Sequence, residues 1–508
     1  MDYPDKLKIG VLQSERGEYT EVSPHIERIA LLVKGGYKLR DKLSLFLKQR
    51  RDEEDDIYKA RIEKFTYSNV LGAAVSQLAT KFSNGQVHIS GPIDEDLWSE
   101  FRENNDGKGR TERQLLNELF SHCLPYRQVW AHVDKPRAPY TPRSAADEEA
   151  LGLKPRVILY SSAQVLSWDE KDDGAIAWVK VFQVVEEVTP TAAPRMKALW
   201  TFIDDECICT YAAYVKVVDG KIRSILNDRG DYVSLFNDAY EVSQVDMVRH
   251  GFGCVPVVRV VLPYEMWGGN QAYPKAEESL RLEAHRYDLL TNAYWQRYYK
   301  RAMIPDSLDV TFEQASELPT GLQHVVEADN FSWSEPTGAI IEPLTITLER
   351  AKKEIRALLA IGGAAYSEGE NVSEASGESK KMDFVNEDER LQSYGHIFTD
   401  ALQDIYQLVA KATGNRQYSE IAVSGLDEFG HDKASDFIES LTAFVEIDIE
   451  RLALLLPPTL FVLVREKLLA FLLGNLTPEQ KNIVADELAT MPIEAATALA
   501  SAEATPES

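Results

Sequence analysis

Cys207 and Cys209 stand two residues apart, a spacing that puts both thiols on one face of a strand, where a soft metal ion could be held. No second Cys/His pair accompanies them, so two small strand residues are the expectation. His122, His132 and Asp134 are the other group with acid–base or metal-binding side chains, flanking a turn at Pro125. Ordinary side-chain hydrogen bonding is the default for them. The chain has no G-x-x-x-x-G-K-[ST] to cradle a triphosphate, no H-E-x-x-H and no G-x-S-x-G, and its nine histidines are dispersed. Gly251-Phe252-Gly253 lacks the next glycine of a dinucleotide fingerprint and leads into a strand pattern. No catalytic residue, cofactor set or metal ligand set is therefore expected. An intracellular enzyme would need a non-standard site near His122, His132 and Asp134.

The other chemistry-bearing residues suit contacts with macromolecules. Between Ala302 and Leu344 there is no Lys or Arg, while Asp306, Asp309, Glu313, Glu317, Glu327, Asp329, Glu335 and Glu342 are acidic. Such a run is ordinarily a solvated surface, and it also suits a basic partner. The stretch Tyr366 to Lys381 is rich in Ser, Gly and Glu, buries too little apolar surface to order itself and ends on Lys380 and Lys381. Tyr294, Trp295, Tyr298 and Tyr299 could stack on bases, but their helical spacing favours helix packing.

A chain of 508 residues with 44% hydrophobic content predicts several domains with sizeable cores. Its net charge of −26 argues against general nucleic-acid binding, which draws on clustered Lys and Arg. The first residues, MDYPDKLKIG, lack an apolar core segment, so no secretory signal is expected. The most apolar window, Leu452 to Val464, is broken by Pro457-Pro458 and is too short to span a bilayer. Four cysteines in a chain this long suggest a reducing compartment.

These residues must be positioned by the surrounding elements. Residues 1 to 20 read as loose, Val22 to Lys48 as two short helices split at Gly35-Gly36, Glu53 to Phe82 as one helix and Thr111 to Cys123 as another. From Val129 to Leu262, short alternating runs at hairpin spacing predict a mostly antiparallel sheet, with a short acidic helix at Ser144 to Leu151. A helix of about 26 residues follows Pro274, read as a first-turn proline, with Leu280, Leu282, Tyr287, Leu290, Tyr294, Trp295 and Tyr298 as its stripe. Short β runs at Leu308 to Phe312 and Leu322 to Val326 come next, then a helix after Pro343 that stops at Gly362-Gly363, then a helix to Gly414. Glu420 to Val423 reads as a strand returning to the main sheet, and helices follow to the end. Helices, strands and helices again make the chain α+β.

The order of helix, acidic β excursion, helix, Ser/Gly loop and long helix resembles the portal proteins of tailed bacteriophages. In particular it is similar to a phage family described only as a portal-like domain of unknown function. The matching pieces are Tyr58, Arg61, Phe65, Tyr67 and Asn69; Val133 to Pro136; Ile158 to Trp168; Val255 to Val258; and Ala375 to Lys380. They span about residues 50 to 415, and the sequence departs from the pattern at Lys81-Phe82-Ser83-Asn84-Gly85.

The resemblance implies a portal-type protomer. Its parts would be a helical and antiparallel β wing (1–273), stem helix 1 (274–301), a small β-rich clip (302–343), stem helix 2 (344–363), a tunnel loop (364–381), a wing helix with return strand (382–430) and a helical crown (431–508). It further implies a homo-oligomeric ring of about twelve copies in the virion, at the capsid vertex, assembled in the host cytoplasm. Double-stranded DNA would pass through without sequence recognition.

Partners would be the terminase large subunit, head completion or adaptor proteins, and the major capsid and scaffold proteins, with no membrane. The implied site residues are Tyr366, Ser367, Ser373, Ser376, Ser379, Lys380 and Lys381 in the tunnel loop. Asp306, Asp309, Glu313, Glu317, Glu327, Asp329 and Glu335 would form the clip surface, and Tyr287, Tyr294, Trp295 and Tyr298 the stem packing. Another self-assembling structural protein is the remaining alternative.

Overall fold

The computed structural model describes residues 3–51, 53–92, 94–136, 153–218, 221–226, 232–234, 240–294, 297–298, 333–334, 340–359, 377–426 and 429. They belong to the first of two compact units, Met1–Gly430; the second, His431–Ser508, where the crown is expected, lies outside the described residues. So do the expected helix at Ser144 to Leu151 and both expected β runs between Leu308 and Val326.

Residues 3 to 20 are ordered, contrary to expectation. They form strand β1 (Lys6–Lys8), helix α1 (Ile9–Leu12) and the start of helix α2 (Gly17–Lys34), and Ile9 and Leu12 are buried. Helix α3 (Gly36–Arg40) follows a turn in which Gly35 and Gly36 both take positive φ, 55° and 56°. The single helix expected over Glu53 to Phe82 is instead α4 (Asp55–Lys64) and α5 (Val70–Phe82). The break falls where Phe65 turns extended and Asn69 caps α5, its side-chain oxygen accepting the Gly72 N–H at 2.8 Å. Strand β2 (His88–Ser90) leads to α6 (Glu95–Glu103), a helix the sequence reading missed, and to α7 (Glu112–Tyr126), which starts on a Thr111/Gln114 capping box.

The strands that follow are β3 (Gln128–Asp134), β4 (Arg156–Ser161), β5 (Val165–Glu170), β6 (Ile176–Thr189), β7 (Ala192–Ile203), β8 (Cys207–Val218), β9 (Lys221–Leu226), β10 (Tyr232–Ser234), β11 (Glu241–Arg249) and β12 (Val257–Val261). They make two antiparallel sheets rather than one. Among the described residues, eight strands join in the order β1-β11-β8-β7-β6-β5, with β9 on the far part of β8 and β10 on β9. The other sheet is β12-β3-β4. Its central strand separates two cores: Val129, Ala131 and Val133 face the helical core, and Trp130 packs with Trp168 on the other side.

Beyond β12 come α8 (Gly268–Tyr294), the two-residue strands β13 (Arg297–Tyr298) and β14 (Trp333–Ser334), α9 (Ile341–Leu358), α10 (Gly377–Ala412) and β15 (Ala422–Ser424). Pro274 thus lies inside α8 rather than in its first turn, and α8 ends before Arg301. The predicted return strand does not join the large sheet. It pairs with β2, Val423 opposite Ile89. Nearby, Gly395 of α10 sits so close to the backbone of residue 426 that a Cβ there would meet the Leu426 carbonyl oxygen at 1.7 Å.

Candidate functional site

Helices α8 and α9 form the feature with the clearest functional shape. Ala272, Ala276, Leu280 and Ala284 recur every four residues along α8 and are all buried, as are Leu348, Ala351, Ile355 and Leu359 along and just after α9. Small residues on α8 let its neighbours approach closely. Across the pair, Lys275 meets Glu354 at 2.9 Å and Lys352 meets Glu283 at 3.6 Å. Partner numbers fall on α9 as they rise on α8, so the helices run antiparallel. The Lys275–Glu354 pair is partly exposed and solvent-screened, whereas Lys352 and Glu283 are mostly buried; together they fix the register of the two helices.

The lower part of α8 is built into the body. Trp267 donates its indole N–H to the Pro125 carbonyl at 2.8 Å, and a Cβ on Gly269 would lie 2.3 Å from that same oxygen, so only glycine fits. Glu277 pairs with Arg28 at 3.4 Å, Glu283 accepts the Ser68 N–H at 2.9 Å, and Asp288 pairs with Arg50. Ala284 is the last buried residue of α8 among the described residues: Tyr287 is 36% exposed, and Ile340 and Ile346 at the matching end of α9 are 65% and 63% exposed. There the chain ends are joined by a short antiparallel ladder, Arg297 opposite Ser334 and Tyr298 opposite Trp333. The segment between leaves and returns at one place.

The predicted site residues are distributed as follows. Tyr287 lies on α8 and is 36% exposed, outside the buried Ala272–Ala276–Leu280–Ala284 stripe, so any packing by it in a ring would be against a neighbouring copy. Tyr294 ends α8 and Tyr298 belongs to β13, so the aromatic run does not continue one helix. Trp295 lies outside the described residues, as do Asp306, Asp309, Glu313, Glu317, Glu327, Asp329, Glu335, Tyr366, Ser367, Ser373 and Ser376. Ser379, Lys380 and Lys381, expected in a loop, fall in the first turns of α10. That helix buries Leu391, Tyr394, Phe398, Leu402, Ile405, Tyr406 and Val409 on one face.

The residues with enzyme-like chemistry are engaged in the fold. His132 is 3% exposed, its Nδ1 3.2 Å from the Tyr160 hydroxyl, and burial lowers its pKa to about 4 despite the attraction of Asp134. Asp134 accepts two bonds from Arg156, at 2.6 and 3.1 Å. His122 sits on α7, where burial lowers its pKa as well. A surface recess of about 380 Å³ lies over Asp106, Lys108, Gly109, Arg110, Gln114, Asn117 and Glu118, and neither histidine lines it.

Cys207 and Cys209 are both buried in β8, and burial raises both thiols, Cys207 to about 11. Among the described residues no cluster of His, Cys, Asp and Glu is arranged to hold a metal, and no helix is long and apolar enough to cross a membrane.

No protein-family model matches the chain, and no curated protein matches it. Among solved structures it is similar to a chain in the virion of a native gene transfer agent particle, with 11% identity over 85% of this chain and 99% of that chain and a TM-score of 0.37. It is also similar to chains from the neck of an empty gene transfer agent particle computed with C6 symmetry (11% identity, 86% and 95% coverage, TM-score 0.36) and the neck of a native particle computed with C12 symmetry (13% identity, 82% and 89% coverage, TM-score 0.33). Likeness at these scores carries no argument about what this chain does.

Proposed function

We propose that this chain is the protomer of a phage-type portal, a closed ring of about twelve copies at a capsid vertex. Double-stranded DNA would be packaged and ejected through it, and terminase and head–tail connector proteins would dock on it. The supporting observation is the antiparallel pair α8 and α9, mounted on the body at one end and, at its exposed end, joined by the β13–β14 ladder where the acidic insert departs. A protruding two-helix stem with an insert at its tip, followed in sequence by a long helix, is the arrangement the portal resemblance implies.

A net charge of −26 suits a channel, because carboxylates along the path repel phosphate and let the duplex slide rather than stick. The powering ATPase is a separate protein on this reading, since the chain has no phosphate-cradling loop. Native mass spectrometry and negative-stain imaging of the purified chain test the proposal. A ring of about a dozen copies is expected; a monomer or dimer at every concentration refutes it.

A further inference from the structure

Residues 28–51 invert the charge of the rest of the chain. Eight Lys and Arg stand there against one Asp, in a protein with 81 Asp and Glu against 55 Lys and Arg overall. The arginines are partly used inside the fold: Arg28 and Arg50 pair with Glu277 and Asp288 of α8, and Arg40 donates to the Glu63 carbonyl. The lysines are not. Lys34, Lys38 and Lys48 are exposed, and among the described residues no carboxylate pairs with any of them. Lys34 and Lys38 lie close enough that Lys38, after burial, helps lower the pKa of Lys34.

Tyr37 sits between these two lysines and is 72% exposed, with Lys38 Nζ 5.9 Å from its ring centre. Its position is fixed from below. The Gly35–Gly36 turn has positive φ at both residues, Asn69 donates to the Val33 carbonyl at 2.7 Å, and the next residue but one, Leu39, is buried. Leu45, 44% exposed, adds apolar surface in the same segment. A rigidly held, exposed tyrosine edged by unpaired cations has the make-up of a contact surface, with an aromatic anchor and a charged rim.

We infer that the Lys34–Tyr37–Lys38 turn is the surface that receives an acidic face of a second copy of this chain. The choice of a second copy rests on charge complementarity and on the ring reading above. Copies of a chain this acidic repel one another, and here cations outnumber carboxylates, so a neighbour's acidic surface meets attraction. Duplex DNA is the rival partner. The whole chain's field opposes its approach, and the few lysines here release few counterions.

The test uses the full chain, as wild type and with Lys34 and Lys38 replaced together by Glu, or by Gln as a milder set. Thermal melts confirm folding, and sedimentation velocity at low and high salt measures self-association. Wild-type association should weaken with salt. The Glu set should weaken it at least about tenfold at low salt and largely abolish the salt dependence, with the Gln set between. A wild type that forms rings alongside an equally associating Glu set overturns this inference and leaves the ring reading standing. A wild type that stays monomeric overturns both. A Glu set that assembles normally but no longer retains a duplex oligonucleotide held by wild type assigns the surface to DNA and overturns the second-copy assignment.

Discussion

His132 provides a pH test of how deeply the fold buries this side chain. In the unfolded chain an imidazole takes up a proton near pH 6.5, whereas in the fold burial holds His132 neutral down to about 4, with Asp134 favouring and His250 and Arg156 opposing protonation. Between those values the unfolded chain binds more protons, so acidification favours unfolding. The contribution is fully present above pH 6.5 and is lost as pH falls toward 4. A shift of this size corresponds to about 3 kcal/mol in full, and to about 2 kcal/mol between pH 7.5 and pH 5. Urea unfolding of wild type and His132→Gln at those two pH values reads the difference. His122 is lowered in the same direction and is present in both proteins, so comparing the two pH dependences isolates His132. The variant should lose about 2 kcal/mol less than wild type on acidification. Equal losses would refute the argument and imply that water reaches this ring.

Three further outcomes are expected. Lys180 is 2% exposed and donates to the Val11 and Ser14 carbonyls and the Ser14 hydroxyl, at 3.0, 2.5 and 2.8 Å; Lys180→Met should cost about 1–3 kcal/mol and speed hydrogen exchange selectively in residues 9–16. Ala276→Leu puts three more carbons into a fully buried site and should cost about 1–3 kcal/mol, read as a lowered urea midpoint. A thiol reagent applied to the native chain should modify Cys254 and spare Cys123, Cys207 and Cys209, which are buried; rapid modification of a second thiol would contradict that burial.

The α+β class was readable because both signals are local: alternation along Ile176–Thr189 and Cys207–Val218, and three-to-four spacing along α8 and α10. What sequence could not supply was set by partners distant in the chain. Lys6–Lys8 becomes a strand because β11 offers it an edge, and Lys180 then holds the following segment by its carbonyls. The break between α4 and α5 depends on Asn69 reaching back to Val33, which no local propensity encodes. In α8, the stripe read from sequence held Leu280, which is buried, but not Ala272, Ala276 and Ala284, whose burial marks a close approach of neighbours where bulk would be a fault. Cys207 and Cys209 do lie on one strand as their spacing suggested, and alternation sends both thiols into the sheet core.

The basic segment and α8 are linked through the division of labour between arginine and lysine. Arg28 and Arg50 reach carboxylates on α8, and Arg61 holds Glu53 through two bonds of 2.8 Å, a forked contact that lysine's single ammonium does not reproduce. Arg28 and Arg50 therefore brace the N-terminal segment against α8, while Lys34, Lys38 and Lys48 remain exposed. On the portal reading, a load applied to the insert passes down α8 and α9 into α2 and the segment before α4 through those arginine contacts, and reaches the outward-facing lysines within the same segment. Subunit contact and stem position would then be coupled by a short stretch of chain. Replacing the arginines should loosen the stem within a protomer, whereas replacing the lysines should separate protomers and leave each stem intact.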